Sequence, residues 1–238
     1  MYNQPNLNKW GIFYQERDAP SAKEFIFNME KTIYQFGYQA KQMASFMVKG
    51  YNIEMWKETL HAKLDNSVQA VILLLPGSKG NCVLYDEIKR LLLEEIPIVS
   101  QVVLVGTIRA GKNIRSIVSK ILIQVCAKIG GVPWTIDDMP LLDRPAMVCG
   151  LDVYHATHLG RKSVLGFCSS FNNSATRYWS KSIIHDTGVE VSVNLQSLME
   201  RAIKKFEQVT KHKPERIFFY RDGVGEHQLM AVKEIEVA

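Results

Sequence analysis

The chain has 238 residues, 47% hydrophobic and 22% charged, with a formal net charge of +5; it is too apolar for wholesale disorder and long enough for one large domain or two small ones. The mild basicity is compatible with a polyanionic partner, and the four scattered cysteines (Cys82, Cys126, Cys149, Cys168) exclude a disulfide framework or a cysteine zinc site, leaving buried thiols. No apolar stretch approaches the ~20 residues of a membrane span, and the first six residues lack the look of a secretory signal, so the sequence reads as a soluble intracellular protein, cytoplasmic or nuclear, with no membrane partner.

Residues 10–14 read as a short strand. Ser21-Ala22-Lys23-Glu24 reads as a capping box opening a helix to about Phe36. The aromatics Phe13, Tyr14, Phe25, Phe27 and Tyr34 are expected in the core. Residues 69–75 are nearly all apolar, which suits a strand covered on both faces. Pro76-Gly77 ends it, residues 77–81 form a loop, and a helix runs on to about Glu95. Residues 99–105 form a second buried strand, 106–113 a basic loop, and 113–129 a helix stopped by Gly130-Gly131 with Pro133 beyond. This alternation predicts an α/β, Rossmann-like layer. The polar, proline-punctuated stretch 134–145 sets a boundary, giving domains 1–145 and 146–238.

The second part changes character. Residues 146–154, 163–170 and 176–184 are three strand-like runs with polar connections, an antiparallel meander. Leu195, Leu198, Met199, Ala202, Ile203 and Phe206 recur at helical spacing over 194–209, and 216–220 forms a last strand. Three antiparallel strands, a helix and a returning strand match the opening of an RNase H-like fold. Residues 227–238 read as the start of a helix.

Two strands deliver one carboxylate each: Asp152 within 147–154, and Asp222 at the end of 217–220. Acids at neighbouring strand ends are what a two-metal phosphodiester hydrolase needs; an Asx turn at Asp222-Gly223 and a structural acid at Asp152 are the alternative. Tyr85 and Lys89 lie four apart on a helix entered from a glycine-containing loop, so they share a face. A ring and an ammonium near a helix start make a pocket for a nucleotide end, against the alternative of an ordinary amphipathic surface helix. Lys128 alone would be a cation placed favourably in a last helical turn. Residues 106–113 (Gly-Thr-Ile-Arg-Ala-Gly-Lys-Asn) nearly spell a phosphate-binding loop, but asparagine stands where the motif needs a hydroxyl. A P-loop nucleotide hydrolase is therefore the weakest reading.

Gly150-Leu151-Asp152-Val153-Tyr154-His155 and Arg216-Ile217-Phe218-Phe219-Tyr220-Arg221-Asp222-Gly223-Val224-Gly225 resemble the two segments that carry the catalytic aspartates of PIWI domains. Thr176-Arg177-Tyr178-Trp179-Ser180 resembles the Piwi branch of the Argonaute family, and Tyr85-Asp86-Glu87-Ile88-Lys89 resembles the start of the MID-domain guide site. The resemblance implies a MID domain followed by the first, incomplete part of an RNase H-like PIWI domain. It implies a guide 5′-phosphate site of Tyr85, Lys89, Gln101, Gln124 and Lys128, with glutamine at 124 where many Argonautes carry lysine, a contact to phosphate or to metal. It further implies catalytic Asp152, Glu190 (a loop acid completing the site) and Asp222, with Asp152 and Asp222 holding Mg²⁺ or Mn²⁺. Glu200 is a rival to Glu190 on the polar side of its helix. The implied partners are a small guide RNA and a complementary target RNA, and the implied chemistry is guided RNA cleavage. The chain ends before the family's last ligand, a histidine or aspartate. The expectation is therefore a guide-binding chain that does not itself cut, either part of a slicer or a pure RNA-binding module.

Overall fold

A computed structural model describes residues 1–41, 43–50, 52–77, 83–110, 113–137, 139–154, 162–185 and 192–222. The chain is mixed α/β and divides into two compact units, Met1–Trp134 and Thr135–Ala238.

The first unit is built on four parallel strands, β1 (Trp10–Gln15), β2 (Ala44–Val48), β3 (Ala70–Leu75) and β4 (Val99–Leu104), in the order β2-β1-β3-β4. Every residue of β3 is buried, because helices cover both faces of a parallel sheet. Those helices are α1 (Ala19–Gln35), α2 (Ile53–Lys63), α3 (Val83–Arg90), the short α4 (Val105–Ala110) and α5 (Ile114–Lys128). The period-two alternation of a strand sends Trp10 and Ile12 to one side, against Phe25 and Met29 of α1 and Leu122 and Val125 of α5. It sends Phe13, Val71 and Leu73 to the other, against Trp56 and Leu60 of α2 and Ile88 of α3. Helix α3 runs on through a π-type turn at Leu91–Glu95. Helix α5 ends at Gly130, which takes φ +91°, and a Cβ on Gly131 would lie 2.5 Å from Cys126 Sγ.

Three expectations are corrected here. Helix α1 starts at Ala19, with proline in its first turn, so Ser21 lies inside the helix and not at its cap. Proline is pre-set for a first helical position, and it moves the start upstream of the apparent capping box. Residues 105–110 form α4 where the last strand residue (105) and then an open basic loop (106–113) were expected; its Arg109 donates from Nη2 to Asp18 Oδ1 at 2.8 Å and from Nε to Ser21 Oγ at 3.2 Å. Gly111 and Lys112 of the phosphate-loop look-alike lie outside the described residues. Phe27 and Tyr34 are exposed on α1, with the Lys31 ammonium 4.1 Å from the Phe27 ring centre.

In the second unit β5 (Ala146–Tyr154), β6 (Ser163–Ser170) and β7 (Tyr178–His185) form the antiparallel meander. Helix α6 (Ser192–Thr210) then returns the chain to β8 (Arg216–Arg221), which pairs parallel with β5, giving the order β7-β6-β5-β8. This is the order of three antiparallel strands, a helix and a returning strand expected from the sequence. Leu195, Leu198, Ala202 and Phe206 of α6 cover Met147, Cys149, Leu151, Leu165 and Phe167 on one face of the sheet. Cys126 and Cys149 are buried free thiols and Cys168 is partly buried; burial pushes the Cys149 thiol up to about 12. Among the described residues no helix is long and apolar enough to cross a membrane.

Candidate functional site

Because Met147, Cys149 and Leu151 face α6, their alternates Gly150 and Asp152 face the other way. The parallel register pairs Gly150 with Tyr220; two residues further along each strand stand Asp152 and Asp222, on the same face of adjacent strands. The Asp222 amide donates to Leu151 O at 3.2 Å, so the strand pairing carries through to the acid. Both acids are exposed, and the Val153 amide donates to Asp152 Oδ1 at 2.7 Å. They border a cavity of about 690 Å³. Its floor is kept low by small residues drawn from neighbouring strands, Gly150, Gly166, Ser180 and Ser182. Two carboxylates opening onto such a trough fit a hard divalent cation, because Mg²⁺ takes one or two protein carboxylates and fills its other positions with water and phosphate oxygens. Among the described residues no group of three His, Cys, Asp or Glu forms a closed cage. Glu190 lies outside the described residues. Glu200 is exposed on α6, accepts from Gln196 Nε2 at 3.2 Å, and belongs to the helix covering the opposite face of the sheet.

A second constellation forms where α3, β4 and α5 meet in the first unit. Lys89 donates to Ser100 Oγ at 2.6 Å, while Lys128 donates to Ser100 O and to Gln101 Oε1, both at 2.9 Å. Thus Lys89 of α3 and Lys128 of α5 both bond Ser100 of β4, and Gln101 joins them through Lys128 while its Nε2 donates to Val102 O at 2.9 Å. Burial lowers the pKa of Lys89 below the ordinary lysine value; burial and then the neighbouring Lys89 charge lower that of Lys128. Among the described residues neither ammonium has a carboxylate partner. The two lysines and Ser100 border a cavity of about 370 Å³.

The other two candidates stand apart from that convergence. Gln124, one turn before Lys128 on the same side of α5, is exposed, with no hydrogen bond among the described residues. The half-exposed Tyr85 ring borders a different cavity, at the carboxyl ends of β3 and β4, with Arg17, Leu75, Gly77 and Leu104. Ser100 was not anticipated. A serine beside Gln101 in an apolar run carries no signal of its own, and only the four-residue spacings that aim Lys89 and Lys128 could have pointed to it.

Residues 70–238 match the family described as Piwi domain. The chain is 29% identical over 231 residues to Piwi-like protein 1 of Gallus gallus, an alignment covering 97% of this chain and 26% of that protein. Its fold superposes on the crystal structure of Drosophila Piwi with a TM-score of 0.82 at 21% identity, over 98% of this chain and 31% of that one. It superposes on Kluyveromyces polysporus Argonaute, crystallised with a guide RNA, with a TM-score of 0.81 at 18% identity, over 99% of this chain and 30% of that one. The chain spans about a quarter of the length of the curated relatives it matches.

Proposed function

The chain belongs to the Piwi domain family, and from that premise we propose that it works in small-RNA-guided silencing, its first unit anchoring the 5′-phosphorylated end of a guide RNA. The observation that carries this reading is the pair of ammonium groups, the partly buried Lys89 and the more exposed Lys128, gathered at Ser100 with no carboxylate to neutralise them among the described residues. Cations held so close, with their pKa values lowered, are short of an anion. A terminal phosphate supplies nearly two negative charges and three strong acceptor oxygens. Gln101, whose Oε1 accepts from Lys128 and whose Nε2 donates one N–H to Val102 O, has its second N–H to offer the same group. Tyr85 serves as a stacking surface for the first base, and Gln124 is an uncharged contact to the phosphate or to an accompanying metal ion.

In the second unit Asp152 and Asp222 form part of an RNA-cleaving site, with Glu190 as the acid that completes it. The two aspartates would hold Mg²⁺ or Mn²⁺, which when bound would supply activation of a water and stabilisation of the leaving oxygen of a phosphodiester. The chain's own contribution is geometric: the β5–β8 register sets the two carboxylates side by side, and the small residues of the trough leave room for a backbone phosphate. Target choice belongs to base pairing between guide RNA and target RNA.

The test is binding of one short RNA carrying either a 5′ phosphate or a 5′ hydroxyl, with and without Mg²⁺. A clear 5′-phosphate preference, lost in Lys89→Ala, supports the reading. Equal, salt-sensitive binding of both RNAs refutes it.

A further inference from the structure

Three cations of the second unit lie over two aromatic rings. The Arg201 guanidinium sits 5.5 Å from the Trp179 ring centre, while Arg177 and Lys205 sit 5.0 and 5.6 Å from that of Phe171. The rings are themselves anchored. Phe171 is buried, and Trp179 meets Phe167 of the core edge-on at 6.0 Å. Arg201 and Lys205 are one turn apart on α6, so they rise from the same side of the helix. The Arg177 backbone is fixed by a tight turn between β6 and β7. Asn172 Oδ1 accepts from the Thr176 and Arg177 amides, both at 3.0 Å, Asn172 Nδ2 donates to Ser174 and Thr176 at 2.8 Å each, and the Phe171 amide donates to Arg177 O at 3.0 Å. Among the described residues none of the three cations has a carboxylate partner.

We propose that the Arg177–Lys205–Arg201 stripe is a contact surface for the sugar-phosphate backbone of a nucleic acid, distinct from the Lys89–Lys128 constellation. A guanidinium stacked on a ring has one face covered and its edge of N–H donors turned outward, the geometry that grips a phosphate. Here a cation lies over each ring and Phe171 is buried, so the surface presents charge before it presents a platform for stacking bases; it reads a backbone without regard to sequence. Three fixed charges spaced along a helix turn and a rigid loop match a run of phosphates better than a single anion. An acidic peptide is the competing occupant.

The experiment measures affinity of the whole chain for a single-stranded RNA with a 5′ hydroxyl across a salt series, so that 5′-phosphate anchoring does not contribute. Each phosphate contact adds about 0.7 to the slope of log K against log salt for single strands. The triple variant Arg177→Gln, Arg201→Gln, Lys205→Gln is expected to flatten that slope by about 2 and to weaken binding about tenfold at low salt. The charge-preserving set Arg177→Lys, Arg201→Lys, Lys205→Arg is expected to retain the slope. Because the triple removes ring contacts, Arg177→Gln alone is measured beside it, with an expected flattening of about 0.7 and an unchanged melting curve. An unaltered slope in Arg177→Gln overturns the proposal. So does a triple variant that keeps RNA binding and loses binding to a polyglutamate peptide. The ratio of 5′-phosphate to 5′-hydroxyl affinity is expected to be the same in the wild type and all variants. A wild type without that ratio refutes the guide-end reading and leaves the stripe's slope as the separate result.

Discussion

Replacing Lys128 with methionine separates binding from folding. Its ammonium donates to Ser100 O and Gln101 Oε1 and is destabilised by the nearby Lys89 charge. A charge-assisted contact to a phosphate contributes about 1.5–3 kcal/mol, or about 10- to 150-fold in affinity. Lys128 is largely exposed, so the lower part of that range applies, about 10- to 30-fold. The folded state loses a cation at a helix C-terminus, costing about 0.3–1 kcal/mol, and gains relief from the repulsion by Lys89. These terms oppose each other, so the melting temperature is expected to move by less than about 4 °C. The assay is fluorescence anisotropy with two RNAs of identical sequence, one 5′-phosphorylated and one 5′-hydroxylated, alongside a thermal melt. The expected outcome is loss of affinity for the phosphorylated RNA alone, on an unchanged fold. A well-folded variant that keeps its 5′-phosphate preference, or that loses both RNAs equally, refutes the reasoning.

The wild-type preference for a 5′ phosphate should weaken as pH rises, and should do so below the ordinary lysine value of 10.5, because burial lowers the pKa of both lysines and only their protonated forms attract the anion; the same anisotropy assay across pH checks it. In Lys89→Met the Lys128 ammonium should titrate higher than in the wild type, since one of the two causes holding it down is gone; side-chain NMR reads this directly. Asp152→Asn and Asp222→Asn should each abolish Mn²⁺ binding measured by electron paramagnetic resonance while leaving stability within about 1 kcal/mol, as both acids are exposed. Arg109→Ala removes the hydrogen-bonded one of two cations beside the nearly buried Asp18 carboxylate, leaving Arg17 Nε 3.8 Å from Oδ2. The expected cost is about 1–2 kcal/mol, below the range for leaving a buried charge unpaired, because Arg17 stays beside the carboxylate and the Arg109 guanidinium is half-exposed. Asp18→Asn should recover most of it in a denaturant titration.

Legibility followed burial. Strand β3 was readable because all six of its residues are covered, and α6 because Leu195, Leu198, Ala202 and Phe206 are buried at helical spacing. Strand β2 and helix α2 left no such trace. The edge strand buries only Val48, and α2 buries only Trp56 and Leu60, so neither shows a sustained period. Residues 105–110 looked like a loop for the same reason that they looked like a phosphate cradle: Gly106 and Thr107 are poor local evidence for a helix, and the packing of Val105 and Ile108 into the core decides the matter. For the sites, residue type and order were enough to nominate Lys89, Gln101 and Lys128. Their meeting at Ser100, and Tyr85 opening onto another cavity, depend on how α3, β4 and α5 pack, which no local pattern encodes.

The parallel pairing of β8 with β5 bears on the order in which the protein becomes competent. The meander β5–β6–β7 joins neighbours in sequence and can form early, whereas β8 must wait until α6 has crossed the sheet. Asp222 therefore reaches Asp152, some seventy residues away in sequence, only with the slowest contact of the unit. A slip of one residue in that last docking would turn Asp222 toward α6 and leave Asp152 alone on the open face. On the proposed metal site, divalent-metal affinity would report completed, in-register folding and stay silent in any intermediate that has collapsed without seating its final strand.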